Sequence, residues 1–261
     1  MYYLKKLVLL LTLFVSYSIN AQQITPTLAG AAPFCAGTSI TINLSEDLLN
    51  PIIFNAGNDF VVKLIDGALV ATTIATIPGV ALPGSVNATI PASTPTGNYQ
   101  IRVEATATTP AFPTFNTTLA FAIDGLPTAT AGGSTAICVN GSYTLGGAEA
   151  SATNGTILWT HNGTGSISNA TTTTPTYTPA LTDAGNAVIL TMTVTSNNTC
   201  TPQTTNATYT VNVDPLPTAT AGGSTAICVN GSYTLGGAEA SATNGTILWT
   251  HNGTGSISNA T

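Results

Sequence analysis

The stretch Leu126–Thr171 returns without a single change at Leu216–Thr261, shifted by 90 residues. Asp124 and Asp214 extend the match backwards, past the lone difference of Gly125 against Pro215. A period of that length is the size of one small β domain, so the chain reads as a tandem array rather than a single compact body. The second copy stops near the middle of the unit, and the expectation is a fragment of a longer protein. The expected divisions are a signal peptide at 1–21, a first domain at 22–123, a repeat at 124–213 and a truncated copy of it at 214–261. That copy is expected to keep its first three strands and to leave Trp249 without a full burying surface.

Charged residues make up only 5% of the chain, against about 25% in an average soluble domain. Thr, Ser, Asn and Gly take their place. Disordered chains are usually charged and poor in β-branched residues, and this chain is neither. Thr and Val suit half-buried pleated surfaces, so composition points to β structure. With 4 Lys and Arg and a net charge of −6, there is no basic patch for phosphates, and no nucleic-acid partner is expected.

Lys5 and Lys6 precede the apolar run Leu7 to Val15, and Ser16-Tyr17-Ser18-Ile19-Asn20-Ala21 ends in a small residue. This is the pattern of a secretory signal cleaved after Ala21. The run is short of the roughly 20 residues that span a bilayer, and no later stretch approaches a membrane span. The expected location is secreted or on the cell surface. Export makes Cys35, Cys138, Cys200 and Cys228 disulfide candidates.

Period-two alternation is clearest near the end of the second block. Val188, Leu190, Met192 and Val194 share one face of a run whose other face is mostly Thr. Ala207, Tyr209, Val211 and Val213 do the same, and Ser196-Asn197-Asn198-Thr199 between the runs predicts a hairpin. Further strands are expected at Ser142–Leu145, Thr156–Thr160 and Pro175–Thr178, with Asn154-Gly155 and Asn162-Gly163 as punctuation. No segment has sustained helical spacing. The fold class is all-β: tandem sandwiches of the immunoglobulin type, the last one truncated. Tyr143, Leu145, Trp159, Val188, Leu190, Met192 and Val194 are the expected core, and Trp249 is the anchor of the copy.

Ala131-Gly132-Gly133-Ser134, Ile137-Cys138-Val139-Asn140-Gly141-Ser142-Tyr143-Thr144-Leu145, Leu158-Trp159-Thr160, Pro175-Thr176-Tyr177-Thr178-Pro179 and Cys200 follow in an order that resembles immunoglobulin-like and PKD-like repeats. Such repeats occur in large secreted Bacteroidetes surface proteins, many ending in gliding-motility or type IX secretion sorting domains. The first block, with Phe34-Cys35-Ala36-Gly37 and Gly97-Asn98-Tyr99-Gln100-Ile101-Arg102-Val103, looks like a related module. The resemblance implies export and a non-catalytic stalk or adhesin role. It implies neighbouring repeats of the same chain as partners and names no ligand.

Two cysteine pairings are open. Cys138 and Cys200 lie in one block, with Trp159 between them. In an immunoglobulin-type topology, however, they sit at opposite ends of the sandwich. A strand of about six residues rises roughly 20 Å, and a disulfide needs Cα atoms within about 7 Å. In an end-to-end array Cys35 would pair with Cys200, and Cys138 with a cysteine beyond Thr261. Cys228 is left unpaired in the fragment.

His161 and His251 are one repeat position, with no nucleophile or orienting group legible beside them. The acids Asp59, Asp66, Glu149 and Asp183 are scattered, and Asp183-Ala184-Gly185 is read as a turn. No catalytic, cofactor-binding or metal residues are assigned, and the chain is not read as an enzyme. Two alternatives to a stalk are modules that bind an extracellular protein or glycan, and accessories to an extracellular hydrolase encoded downstream.

Overall fold

The computed structural model describes residues 23–46, 51–109 and 114–260, so the expected signal peptide lies outside the described residues. Internal contacts divide the chain into two units. One comprises the residues up to Pro127 together with Ser196–Gln203, and the other comprises Thr128–Thr195 and the residues from Thr204 onward.

The first unit contains β1 (Gln23–Ala29), β2 (Phe34–Cys35), β3 (Ser39–Glu46), β4 (Ile53–Phe54), β5 (Asp59–Ile65), β6 (Ala71–Pro78), β7 (Ser85–Thr89), β8 (Gly97–Ala105), β9 (Thr108–Thr109), β10 (Thr114–Phe115) and β11 (Phe121–Asp124). One sheet runs β10-β1-β3-β7, a second runs β2-β11-β8-β5-β6, and β4 and β9 pair as a small third. The pleat sends alternate side chains to opposite faces. Phe60, Val62 and Leu64 of β5 and Tyr99, Ile101 and Val103 of β8 turn inward and join Ile24, Ile42, Ile90 and Ile123 in one core. The outward residues Lys63 and Arg102 stand directly opposite each other. Glu104 bonds both, at 2.5 and 2.6 Å, which relieves the like-charge pair.

The second unit contains β12 (Thr128–Ala131), β13 (Ser134–Cys138), β14 (Tyr143–Thr144), β15 (Ala150–Thr153), β16 (Gly155–His161), β17 (Ser166–Ser168), β18 (Thr176–Thr178), β19 (Ala187–Ser196) and β20 (Thr204–Asp214). A four-stranded sheet runs β13-β20-β19-β16, and β12-β15 and β14-β18-β17 form the other sheet pieces. The first strand region thus splits between sheets, β12 pairing with β15 and β13 running parallel to the last long strand. Both units therefore have the layered, all-β arrangement expected of immunoglobulin-type sandwiches. Leu145, Trp159, Val188, Leu190, Met192 and Val194 are buried together with Tyr177, Tyr209, Val211 and Val213. Tyr143 is only half-buried, because its hydroxyl reaches the Glu149 carboxylate at 2.6 Å.

Alternation did not predict β12, β13, β15 and β17, whose sequences are short and rich in Thr, Ser and Ala. The Asn154-Gly155 pair is a corner between strands of different sheets rather than a hairpin turn. Asn154 adopts φ 57°, a conformation Asn tolerates better than most side chains. Gly155 opens β16 against the backbone of Thr195, where a Cβ would overlap the carbonyl group.

Residues from Leu216 onward fold differently from their identical counterparts. Among the described residues of this copy only β21 (Thr218–Ala221) and β22 (Ala240–Thr243) form, paired with each other. The expected third strand, around Trp249, is absent there, and Trp249 is half-exposed and belongs to neither core. The partners of that strand in the second block, β19 and its neighbours, lie past the matched segment.

Candidate functional site

The most built feature outside the cores is the tip of the hairpin between β19 and β20. Ser196–Gln203 folds on its own hydrogen bonds. Ser196 N–H donates to the Gln203 carbonyl at 2.9 Å, Ser196 Oγ to Asn198 Oδ1 at 2.6 Å, and Cys200 N–H to the same Oδ1 at 2.9 Å. This fixes Cys200, 3% exposed, in a disulfide with Cys35 whose Cα atoms are 5.0 Å apart. Asp124 anchors the tip beside the bond. Its Oδ2 accepts from the Thr199 amide at 3.1 Å and from Thr199 Oγ1 at 2.7 Å. Asn198 Nδ2 donates to the Gly125 carbonyl at 3.2 Å. The remaining cysteines, Cys138 and Cys228, are free thiols and exposed.

A buried polar centre lies in the second unit. Asp183 is the last residue of a 3-10 turn, Leu181–Asp183, and is 3% exposed. Its carboxylate accepts from Thr164 N–H and Thr164 Oγ1, both at 2.8 Å, from Tyr177 Oη at 2.7 Å and from Ala180 N–H at 2.9 Å. Burial alone pushes the carboxyl upward. The four hydrogen bonds together outweigh it and hold the group well below the ordinary carboxylate range. Burial, then the Asp183 carboxylate, pushes Tyr177 up to about 12. The turn expected at Asp183 is present and its carboxylate does take a nearby backbone amide, while its burial was not expected, because nothing local in the sequence signals it.

His161 ends β16 half-buried, its ring edge-on to Tyr177 with centroids 5.2 Å apart, and its buried Nδ1 meets no hydrogen-bond partner. The Tyr177 hydroxyl is engaged by Asp183, so His161 meets Tyr177 through its ring alone. His251 is exposed. A second polar cluster joins Tyr143 and Tyr209, stacked with centroids 5.8 Å apart. Both hydroxyls donate to Glu149 Oε1, at 2.6 and 2.7 Å, and Gly146 N–H donates to Oε2 at 2.6 Å. Hydrogen bonds, that from Tyr143 foremost, hold the Glu149 carboxyl below its ordinary range.

A shallow groove of the first unit is lined by Leu64, Asp66, Val70, Pro91, Pro95 and Tyr99. Asp66 Oδ1 accepts the Ala68 and Val70 amides there, and Tyr99 Oη donates to the Pro95 carbonyl. Among the described residues no group of three or more His, Cys, Asp or Glu side chains is placed to hold a metal ion. Among the same residues no helix is long and apolar enough to cross a membrane.

No family model and no curated protein matches the chain. Solved structures do match. The chicken CNTN1 FN1–FN3 domains are 10% identical, with 77% of this chain and 68% of that one covered and a TM-score of 0.43. The full ectodomain (Ig1–Ig3) of mouse nectin-like molecule 4 is 12% identical, covering 73% and 64%, with a TM-score of 0.36. A tetra-tandem repeat in the extending region of a large adhesion protein is 13% identical, covering 77% and 51%, with a TM-score of 0.28. The chain spans less than two thirds of the latter two.

Proposed function

We propose that the protein is an exported cell-surface repeat protein that serves as a non-catalytic stalk or adhesin, of the kind found in large secreted Bacteroidetes surface proteins. The observation that carries this reading is the Cys35–Cys200 disulfide, which joins residues 165 apart in sequence and so ties the hairpin of one block to the start of another. Stable disulfides belong to oxidising compartments. A cross-link over such a span keeps everything between its ends out of the path of a pulling force. The sparse charge and Thr-rich outer faces further support an exterior, load-bearing role, and the Asp183 and Glu149 carboxylates are held by hydrogen bonds from their own unit. The test is labelling of intact cells of the native host with antibody raised to residues 23–213. Surface label that external protease removes is expected, and label that requires permeabilised cells would overturn the reading.

A further inference from the structure

Cys35 and Cys138 occupy the same place in their units. Cys35 ends β2 opposite Asp124 of β11, and Cys138 ends β13 opposite Asp214 of β20, both in parallel register. The next amide, Ala36 in one case and Val139 in the other, donates to the facing Asp carbonyl at 2.9 Å. Each cysteine carbonyl then accepts the amide three residues on, Thr38 at 3.3 Å and Gly141 at 2.9 Å. In the first unit this frame holds an Asn-Thr-Cys tip: Asp124 takes both Thr199 donors, the Gly125 carbonyl takes Asn198, and Cys35 takes Cys200. In the second unit all three receptors recur. Asp214 is exposed, Pro215 offers a carbonyl where Gly125 stands, and the Cys138 thiol is exposed and free.

We infer that the Cys138–Asp214 end of the second unit is a docking site and disulfide acceptor for an Asn-Thr-Cys hairpin tip supplied by a following repeat. The inference rests on the tandem-array reading above. Asp214 captures the Thr amide and hydroxyl and sets the incoming cysteine beside Cys138. A small-molecule disulfide is the oxidant. The Cys138 thiolate attacks one of its sulfurs and expels one thiol, leaving a mixed disulfide. The thiolate of the tip then attacks the Cys138 sulfur and expels the second thiol. Two protein thiols lose two electrons, and one small disulfide becomes two thiols.

Cys228 is the control the molecule provides. Its flanking residues are identical to those of Cys138, but it sits on no strand and faces no counterpart of Asp214. The probe is the synthetic hairpin Thr193–Asn206, its cysteine activated as the mixed disulfide with 5-thio-2-nitrobenzoate. It is reacted with the full chain carrying either Cys228→Ser or Cys138→Ser, and release of the nitrothiobenzoate is followed. Ellman's reagent alone is expected to modify both variants at comparable rates. The hairpin is expected to react at least tenfold faster with the variant retaining Cys138, and Asp214→Ala is expected to remove that preference. Equal hairpin rates at Cys138 and Cys228, or a preference that survives Asp214→Ala, would overturn the inference. Either result leaves the surface-labelling experiment untouched, so the two readings fail separately.

Discussion

Asp183 is almost fully buried and yet ionised at neutral pH, which is possible only because four donors converge on it. Its depressed pKa makes it a stability device with a definite pH sign. The unfolded chain takes up the proton first as pH falls, so the contribution is complete above the ordinary Asp value of about 4 and is lost progressively below it. Asp183→Asn is expected to lower stability at pH 7 by about 2–3 kcal/mol, the scale of hydrogen bonds to a charged group. Urea unfolding at pH 7 and pH 3 checks this, and the deficit should narrow at pH 3. Gly155 is a different kind of constraint, set by contact and not by dihedral angle. Gly155→Ala places a methyl group against the Thr195 backbone, and a loss of about 1–3 kcal/mol in the same assay is expected from overpacking.

The two copies of Leu126–Thr171 are an experiment in what makes a strand. β21 and β22 repeat β12 and β15, and each of these strands finds its partner inside the copied segment. Among the described residues β13, β14, β16 and β17 have no counterparts in the second copy, because their partners β18, β19 and β20 lie past the matched segment. The local contact from the Tyr143 phenol to Glu149 does reappear, between Tyr233 and Glu239. Sequence alone thus delivers what closes inside the copied segment, and strands that need partners beyond it stay open. Burial follows: Val139 is 5% exposed and Val229 92%, and Leu145 is 0% exposed and Leu235 47%. Trp159→Ala should therefore cost about 3–5 kcal/mol, and Trp249→Ala less than about 0.5 kcal/mol, in denaturant unfolding. Tryptophan emission is expected to be blue-shifted when only Trp159 remains and red-shifted when only Trp249 remains.

For the whole molecule the Cys35–Cys200 bond dominates. Closing a loop of that length is worth about 5 kcal/mol in the chain-entropy account. Cys200→Ser is expected to lower stability by about 2–5 kcal/mol. Pulling the ends of the chain should show the same bond mechanically: reduction is expected to release roughly 550 Å of hidden length, from 165 residues at about 3.3–3.6 Å each. A force trace with the same contour length before and after reduction would contradict this. Ending the chain at Asp214 should leave the thermal midpoint of the second unit unchanged and reduce aggregation. The segment it removes exposes Val229, Leu235 and Leu248 and adds nothing to that unit's core.

Alternation at Val188–Val194 and Ala207–Val213 determined the central hairpin, because one long face of apolar side chains has only one way to hide. The repeat pointed to the tandem plan, since its 90-residue shift is the length of one small β domain. Tertiary structure alone decided the burial of Asp183, the choice of cysteine partner and the fate of the second copy. Each depends on groups far apart in sequence meeting in space: four donors around one carboxylate, Asp124 beside Thr199, β19 beside β16. Identical residues at Cys138 and Cys228 cannot encode that difference; the strand that does or does not lie beside them does.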